Sequence, residues 1–259
     1  MNCKICSSQT NYIFEALVLN KYNVKYYQCT NCNLIQTEEP FWLEEAYNSA
    51  ISNLDTGILL RNNELSKKLT AILPYISENA DKIKMLDYGG GYGILVRLMR
   101  DIGFNFYWYD KHCKNLFAKG FEKNEENYSI VTAFEVFEHL VSPLEEINFI
   151  FSNIGCDTLI FSTLLYENQV PTQDWWYYSF ESGQHIVFYN NNTLEHLAKS
   201  LNYYFYSYGD FHIFTKNKLN YFKINYYLIR FNKFYIKNKK KLESKTFSDH
   251  LFLKNQFLT

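Results

Sequence analysis

The 259-residue sequence has no long apolar run, few glycines and prolines, and almost no net charge. No stretch reaches the roughly 18 consecutive apolar residues of a membrane-spanning helix, so we expect none. The N-terminus, Met-Asn-Cys-Lys-Ile-Cys, lacks the apolar segment of a signal peptide, so we expect a cytoplasmic protein. No internal repeat is visible. What remains is a chain with ample apolar content for one α/β domain and a small accessory module.

The net charge of −1 conceals two oppositely charged regions. Residues 216–259 contain eleven Lys or Arg and two acids, which gives +9, and the remainder carries −10. Apolar residues recur at helical spacing in this tail: Ile224, Leu228, Phe231 and Tyr235. We predict a packed helix over at least residues 220–236 with a looser end. Peripheral contact with an anionic membrane is the alternative for such a basic amphipathic segment.

Four of the ten glycines lie within residues 89–93, between an apolar segment and a helical one. The run from residue 83 to 93 is Ile-Lys-Met-Leu-Asp-Tyr-Gly-Gly-Gly-Tyr-Gly, and a second predicted strand ends in Asp110. Glycines let a backbone approach a ligand closely, and a helix N-terminus adds free N–H groups. A carboxylate at the tip of the second strand can hold a ribose diol. We predict a nucleoside site with these residues: Asp87, Gly89, Gly91, Gly93 and Asp110.

The residue after the glycine turn decides which nucleoside fits best. A dinucleotide-binding fingerprint needs a small residue at position 94, where this chain has Ile94, and this disfavours an NAD-dependent dehydrogenase. The spacing Asp-x-Gly-x-Gly-x-Gly resembles motif I of the class I S-adenosylmethionine (SAM)-dependent methyltransferases. The resemblance implies that SAM is the cofactor.

Four of the six cysteines form two pairs, Cys3-x-x-Cys6 and Cys29-x-x-Cys32. Two such turns can supply four thiolates in a tetrahedron, which suits Zn²⁺, and the segments between them read as short strands of a zinc ribbon. Four sulfurs leave no open position, so we predict a structural ion. Two disulfides are the alternative, disfavoured because nothing marks the chain as secreted. Only two lysines lie between the pairs, which disfavours nucleic acid as a partner.

Strands and helices alternate from residue 83 to 201 in the predicted pattern, which indicates a doubly wound α/β sheet of the Rossmann-like methyltransferase type. The segments Tyr203–Tyr208 and Phe211–Thr215 face each other across Gly209-Asp210 and predict a terminal antiparallel hairpin. We expect four segments: a zinc-binding module at 1–37, a helical linker or cap at 38–80, the SAM-dependent methyltransferase domain at 81–215 and the basic tail at 216–259.

One departure from the methyltransferase pattern follows the second strand. Only eighteen residues, Lys111–Tyr128, separate Asp110 from the next predicted strand. The resemblance implies an adenine-contacting acid on a strand in this interval. We expect that strand to be short or absent.

A second motif, Thr132–Leu140, reads Thr-Ala-Phe-Glu-Val-Phe-Glu-His-Leu. Glu135 falls at the carboxyl edge of the predicted strand, where open α/β sheets bind ligands, so we predict that it lines the SAM pocket. His139 follows within one turn and is the second candidate for a catalytic base. Its alternative role, shared with Glu138, is to fix the local backbone.

The loop 165–189 carries a histidine and an aromatic run after the fifth predicted strand. Methyl transfer requires an aligned acceptor and removal of its proton, and His185 is the first candidate for that base. Its alternative role is a hydrogen-bonded core histidine. The adjoining aromatic residues are candidates to stack on a sugar face: Trp175, Trp176, Tyr177 and Tyr178.

Taken in order, the cysteine pairs, the glycine motif, Phe-Glu-Val-Phe-Glu-His-Leu and Gly-Gln-His-Ile-x-Phe-Tyr resemble bacterial methyltransferases of sugar and surface-polysaccharide modification. The sequence is more distantly similar to zinc-containing nucleotide-sugar C-methyltransferases, in which a Glu-His pair supplies the base. Gln184 stands in place of that Glu, and the large C-terminal domain of those enzymes is missing. The resemblance therefore implies O-methylation of a sugar or sugar-linked small molecule. The alternatives are C-methylation of a keto sugar and a non-catalytic binding protein.

Overall fold

We describe the fold from a computed structural model, which covers residues 1–48, 55–167 and 169–256. The strands are β1 (Thr10–Val18), β2 (Tyr22–Cys29), β3 (Ile35–Thr37), β4 (Lys84–Tyr88), β5 (Asn105–Tyr109), β6 (Ile130–Ala133), β7 (Thr158–Ser162), β8 (Val187–Phe188), β9 (Tyr204–Tyr208) and β10 (Phe211–Thr215). The α-helices are α1 (Leu43–Ala46), α2 (Ile58–Ile76), α3 (Ile94–Ile102), α4 (Pro143–Phe149), α5 (Asn191–Ser200), α6 (Tyr221–Ile229), α7 (Phe231–Lys239) and α8 (Thr246–Gln256).

The chain folds into two compact units, each built from two separate stretches of sequence. Unit 1 comprises Met1–Ser52 and Ala133–Asn217, and unit 2 comprises Asn53–Thr132 and Lys218–Thr259. From residue 83 to 201, strands and helices alternate as predicted, and the predicted hairpin strands follow. The predicted α/β class is therefore confirmed. None of the described helices is both long enough and apolar enough to span a bilayer.

In unit 2, β4 lies between β5 and β6 and runs parallel to both. Met85 and Leu86 of β4 are fully buried, as expected for a central parallel strand whose two faces are both covered. The pairing places Asp87 opposite Trp108 on one side and Thr132 on the other. The three strands thus bring the end of β4 and the end of β5 to one edge.

The interval after β5 contains no regular strand or helix within its described residues, as predicted. Instead, the chain returns to β5 through an isolated parallel bridge between Trp108 and Glu122. The Trp108 N–H donates to Phe121 O at 2.8 Å, and the Lys123 N–H donates to Trp108 O at 2.7 Å. A short extended segment therefore stands where the family pattern places a full strand.

The basic tail packs on helix α2 within unit 2. Ile224 of α6 is fully buried, and Asn238 of α7 donates from Nδ2 to Thr70 O of α2 at 2.9 Å. The prediction of an ordered, packed helical segment is confirmed in this respect. The hydrogen bond from Asn238 gives the Thr70 carbonyl of α2 a donor from within the protein.

The prediction of one continuous helix over residues 220–236 is wrong. The helix breaks at Arg230, whose φ of −105° and ψ of 25° leave the helical region. The break turns α7 so that Phe234 packs edge-on against Tyr227, with ring centroids 4.3 Å apart. Aromatic packing of this kind contributes about 0.5–1.5 kcal/mol beyond the burial of area. No Gly or Pro marks the helix break in the sequence.

The predicted looser end is also wrong, because residues 246–256 form α8. Asp249 of α8 is buried and accepts bonds from Arg100 Nε at 2.8 Å and Arg100 Nη2 at 2.6 Å. Arg97 Nη2 adds a third bond at 2.9 Å. This charge-assisted cluster fixes α8 against α3, the helix that follows the glycine turn.

In unit 1, β10 pairs antiparallel with both β7 and β9, so the predicted terminal hairpin is confirmed. His212 on β10 is fully buried, with Nε2 2.9 Å from Thr163 O and Nδ1 3.0 Å from Ser207 Oγ. Both ring nitrogens are thus used within the fold. His212 is a structural histidine.

The N-terminal strands of unit 1 form a second sheet in the order β1-β2-β3-β8. The predicted strands between the cysteine pairs are present as β1 and β2, joined as an antiparallel hairpin. The fourth strand, β8, comes from the loop that carries His185, and it pairs with β3 through Ile35↔Phe188 and Gln36↔Val187. The cysteine-bearing segment therefore shares a sheet with a distant part of the chain.

Candidate functional site

The glycine turn of unit 2 connects β4 to α3 and is tied to the end of β5. The N–H groups of Gly89 and Gly90 both donate to Tyr109 O, at 2.8 and 3.1 Å. Gly93 has a φ of +86°, and a Cβ at this position would lie 3.1 Å from the Cβ of Ala118. Glycine is required here by both the backbone angle and the close approach. The predicted turn is therefore a tightly held backbone surface at the edge of the sheet.

The carboxylate of Asp110 braces this turn. Oδ2 accepts from Gly91 N at 2.9 Å, and Oδ1 accepts from the N–H groups of His112 and Cys113 at 2.7 Å each. Each carboxylate oxygen can accept two bonds, so Oδ2 retains a lone pair beside the turn. The predicted bond from a ribose diol to Asp110 stays a prediction.

Asp87 is buried at the end of β4. Thr132 Oγ1 donates to Asp87 Oδ1 at 2.6 Å. Burial raises the pKa of Asp87 to about 7, with a further contribution from the nearby charge of Asp110. Its predicted part in cofactor binding is untested, and its immediate partner is a neighbouring strand.

Sequence reasoning missed Trp108 as a support of the glycine turn. Its indole Nε1 donates to Gly91 O at 2.8 Å, and a Cβ on Gly90 would lie 3.0 Å from Trp108 Cδ1. A tryptophan two residues before the acid at a strand end is the only sequence signal for this contact. Trp108 fixes the turn from the side of β5.

In unit 1, the four paired cysteines converge on one point. The sulfurs of Cys3 and Cys32 are 3.5 Å apart, those of Cys6 and Cys29 are 3.4 Å apart, and all four lie within 4.8 Å of one another. No disulfide joins them. Tetrahedral Zn²⁺ with bonds of about 2.3 Å would hold sulfurs about 3.8 Å apart, so the donor set and spacing fit a zinc ion.

Backbone N–H groups surround the thiolates of this cluster. The N–H of Ile5 donates to Cys3 Sγ, and the N–H groups of Asn31 and Cys32 donate to Cys29 Sγ, each at 3.4 Å. Such bonds to sulfur stabilise and orient thiolate ligands. The two cysteine turns are therefore arranged to receive a cation.

Glu135 stands just after β6 and is locked to β7. Its N–H donates to Ser162 Oγ at 2.9 Å, and Ser162 Oγ donates to Glu135 Oε1 at 2.6 Å. The φ of +54° at Glu135 is rare for a residue with a side chain. The reciprocal bonds hold this strained turn in place. Its predicted position in the SAM pocket stays a prediction.

The two predicted base candidates lie side by side in unit 1. The ring centroids of His139 and His185 are 4.9 Å apart. His139 Nδ1 is 2.9 Å from Gln184 O, and His185 Nδ1 is 2.6 Å from Tyr177 O. Because carbonyl oxygens only accept, both Nδ1 atoms carry the proton in the neutral rings.

Glu138 completes this histidine cluster and was not among the predicted site residues. Its side chain is fully buried, and burial raises its pKa to about 7 with help from the charge of Glu135. Burial, with a smaller contribution from the neighbouring His139, lowers the pKa of His185 to about 4. The sequence signal for Glu138 is its place beside His139 in Phe-Glu-Val-Phe-Glu-His-Leu.

The aromatic run divides into buried and exposed residues. Tyr178 is buried and stacks on Phe180 with centroids 5.3 Å apart, and Tyr177 is buried with its hydroxyl bonded to Leu164 N at 3.1 Å. Trp176 is 73% exposed, and Trp175 is half-buried. Only the two tryptophans therefore present ring surface that a sugar can reach.

The segment 183–186 is held by contacts from both parts of unit 1. Trp42 Nε1 donates to Gly183 O and Gln184 Nε2 donates to Ala46 O, both at 2.8 Å. The N–H of Ile186 donates to Glu138 O at 2.9 Å, and its carbonyl accepts from Thr37 N at 3.0 Å. His185 is therefore fixed between the Glu138 turn and the N-terminal sheet.

Residues 60–208 match the model of a protein family described as a methyltransferase domain. The chain belongs to this family. With the glycine turn between β4 and α3 and the parallel order β5-β4-β6, the match defines a SAM-dependent methyltransferase of Rossmann-like fold. This confirms the predicted enzyme class and SAM as the cofactor.

Solved methyltransferases resemble the chain at low identity. The magnesium protoporphyrin IX methyltransferase ChlM from Synechocystis PCC 6803 with bound SAH is 14% identical, with 66% of this chain and 90% of that one covered and a TM-score of 0.41. The plantazolicin methyltransferase BpumL with SAH is 11% identical, with 76% and 90% covered and a TM-score of 0.44. The small RNA methyltransferase HEN1 is 15% identical, with 60% and 25% covered and a TM-score of 0.40. No curated protein matches the chain.

Proposed function

We propose that this methyltransferase transfers the methyl group of SAM to a hydroxyl oxygen of a sugar or sugar-linked small molecule, in surface-polysaccharide biosynthesis in the cytoplasm. The observation that carries the proposal is the fixed histidine pair His139 and His185, with Nδ1 atoms bound to backbone carbonyls 2.9 and 2.6 Å away. A hydroxyl must lose its proton as it attacks the methyl carbon. The half-buried and exposed rings of Trp175 and Trp176, in the loop leading to His185, are the proposed sugar contacts.

Each unit has a separate part in this proposal. In unit 2, the glycine turn and Asp110 bind SAM, with Asp110 Oδ2 accepting from the ribose diol. In unit 1, the histidine cluster acts on the acceptor proton. SAM supplies the electrophilic methyl group, so the protein has to orient the acceptor and handle one proton.

Gln184 favours a hydroxyl acceptor over a carbon acceptor. C-methylation of a keto sugar requires removal of a proton from carbon, for which the resembling enzymes use a Glu-His pair. Here the Gln184 side chain is buried, and its amide donates to Ala46 O at 2.8 Å. An amide cannot accept a proton at neutral pH, and the Gln184 amide is hydrogen-bonded to a backbone carbonyl. C-methylation is the second candidate.

We also propose that Cys3, Cys6, Cys29 and Cys32 hold one structural Zn²⁺. The support is the four-sulfur cluster and the N–H groups directed at Cys3 and Cys29. The ion fixes the β1–β2 hairpin and, through β3, the sheet that carries β8. The boundary at residue 37 stays a prediction, because β3 shares its sheet with residues 187–188.

The test of the function is incubation with methyl-labelled SAM and a panel of nucleotide sugars and capsule precursors, read by mass spectrometry. We expect a product that gains one methyl group on oxygen, located by fragmentation. A methyl group on ring carbon would select the second candidate. Methylation confined to peptide or RNA acceptors in the same assay would contradict the proposal.

The proposed SAM contact is tested by Asp110→Ala, with SAM affinity measured by calorimetry. Loss of the diol acceptor costs on the order of 1–3 kcal/mol, so the dissociation constant should rise roughly 5- to 150-fold. Glu125→Gln removes an exposed acid of the same unit and should leave it unchanged. An unchanged constant in Asp110→Ala would show that another group holds the ribose.

A further inference from the structure

Glu138 is a fully buried carboxylate without a hydrogen-bond partner. Within the described residues, neither Oε1 nor Oε2 has one. Burying a charged carboxylate without a partner costs a large desolvation free energy, so native proteins pair such groups with a donor or a cation. Glu135, also acidic, stands three residues earlier, and its charge acts on Glu138. The Tyr177 side chain acts on this carboxylate as a donor, but it makes no well-formed hydrogen bond to either oxygen, so the carboxylate charge is at most partly balanced within the described structure.

The imidazoles of His139 and His185 belong to the same cluster, and hydrogen bonds to backbone carbonyls fix the tautomer of each ring. The Nδ1 atoms of His139 and His185 face backbone carbonyls, which places the lone pair of each neutral ring on Nε2. Metal-ligating histidines typically use this arrangement, with the second nitrogen donating to a carbonyl. One ligand atom from each of the three residues lies within 4.8 Å of the other two. Bonds of about 2.1 Å to a common tetrahedral ion would bring the ligand atoms to about 3.4 Å from one another.

We propose that Glu138, His139 and His185 hold a divalent transition-metal ion through one carboxylate oxygen and two imidazole nitrogens. Three protein ligands leave open positions, as in catalytic rather than structural sites. The inference deepens the proposed function, on which it rests for the acceptor. The open positions would take the acceptor hydroxyl, whose pKa falls on binding to a cation.

The resulting step balances without an oxidant or a reductant. The hydroxyl releases its proton to water, the oxygen lone pair forms the bond to the methyl carbon, and the carbon–sulfur bond breaks with its electrons left on sulfur. His139 and His185 then act through the ion rather than as free bases.

The test is Mn²⁺ titration of the full-length protein, followed by the electron paramagnetic resonance signal of free Mn²⁺. Mn²⁺ prefers nitrogen and oxygen ligands to thiolates, so the zinc cysteines do not compete. We expect one Mn²⁺ per chain, with affinity at least tenfold weaker in Glu138→Gln, His139→Asn and His185→Asn. Glu195→Gln and His196→Asn on α5 are the matched controls and should bind as the unaltered chain does.

A second measurement compares each protein with itself, with and without Mn²⁺, so a general loss of stability in a variant does not mimic loss of the site. Mn²⁺ should raise the melting temperature of the unaltered chain and leave that of Glu138→Gln unchanged. No Mn²⁺ site in the unaltered chain, or equal binding in all variants, would overturn the inference. Undiminished sugar methylation by metal-free protein would do the same while the proposed function stands. Mn²⁺ binding without sugar methylation would leave the metal site and remove the proposed function.

Discussion

At the scale of single residues, two buried carboxylates differ in what neutralises them. Asp87 accepts a short bond from Thr132, whereas Glu138 has no hydrogen-bond partner among the described residues. A bond from a hydroxyl reduces the cost of burying a charge without abolishing it. The pKa of both carboxylates is raised to about 7, but Asp87 has a hydroxyl donor, and Glu138 is the one whose charge the proposed cation would neutralise.

Asp87→Asn should change how the stability of the ligand-free protein depends on pH. Burial raises the pKa of Asp87 to about 7, so between pH 4 and 7 the folded protein holds a proton that the unfolded chain has lost. The contribution of Asp87 to the free energy of unfolding therefore falls as pH rises through this window. Asparagine keeps the bond from Thr132 without a charge, so its melting temperature should exceed that of the unaltered chain at pH 8 and converge on it near pH 4.

Scanning fluorimetry from pH 4 to 8 measures this difference, and each kcal/mol shifts the melting temperature of a chain of this size by roughly 2–4 °C. Glu125→Gln, at an exposed position, is the control and should track the unaltered chain. A constant offset between Asp87→Asn and the unaltered chain at every pH would contradict the assignment.

The sequence predicted a residue's place in a site where a backbone conformation or a ligand type requires that residue type. The glycine turn falls between β4 and α3 because glycine adopts the φ of +86° at Gly93 without strain and leaves room for Ala118. The cysteine pairs converge because each pair closes its own turn. Glu138 and Trp108 were not predicted as site residues, since their importance comes from side-chain contacts made across strands and loops far apart in sequence.

At the scale of elements, the short strand β8 links the cysteine cluster to His185. Its pairing with β3 and the bond from Thr37 N to Ile186 O hold the loop that precedes it. β8 has two residues at the end of a long irregular loop, so it has too few positions for alternation to signal a strand. The long, strongly patterned strands and helices were predicted because their periodicity is local.

Loss of the proposed zinc should loosen β3 and β8 together. In Cys6→Ser and Cys29→Ser, we expect faster amide hydrogen exchange in residues 35–37 and 183–188, because the β1–β2 hairpin would no longer hold β3 in register. Exchange in β10 should not change. Cys113→Ser lies outside the cluster and is the control. Equal exchange in all the variants would show that the hairpin is stable without metal.

At the scale of the whole molecule, the charge is divided between an acidic body and a basic tail that is folded. Arg100 and Asp249 join α3 to α8 in a buried ion pair, and α7 is bonded to α2. Removing one partner of such a pair typically costs 3–5 kcal/mol. The tail is thus part of unit 2, although Phe222 and Ile229 leave apolar surface exposed at 81% and 68%.

We expect α6 and α7 to be protected from hydrogen exchange in the absence of lipid. Their packing on α2 and the buried side chain of Ile224 supply the stability that protection requires. Exchange over residues 221–239 is measured with and without vesicles of anionic lipid, using neutral vesicles as the control. Fast exchange throughout, with protection only on the anionic vesicles, would instead indicate a helix formed by the membrane.

The interleaving of the two units in the sequence governs how the nascent chain can fold on the ribosome. Unit 1 begins with residues 1–52 but is incomplete until the segment ending at Asn217 has been translated. Unit 2 is incomplete until residues 218–259 have been translated. Until β8 emerges, β3 has an unpaired edge that invites wrong partners. All four clustered cysteines lie within the first 32 residues, so an early metal ion would close the β1–β2 hairpin while most of the chain is still being made. The cysteine cluster would then serve as a starting point for assembly, well before there is an active site to support.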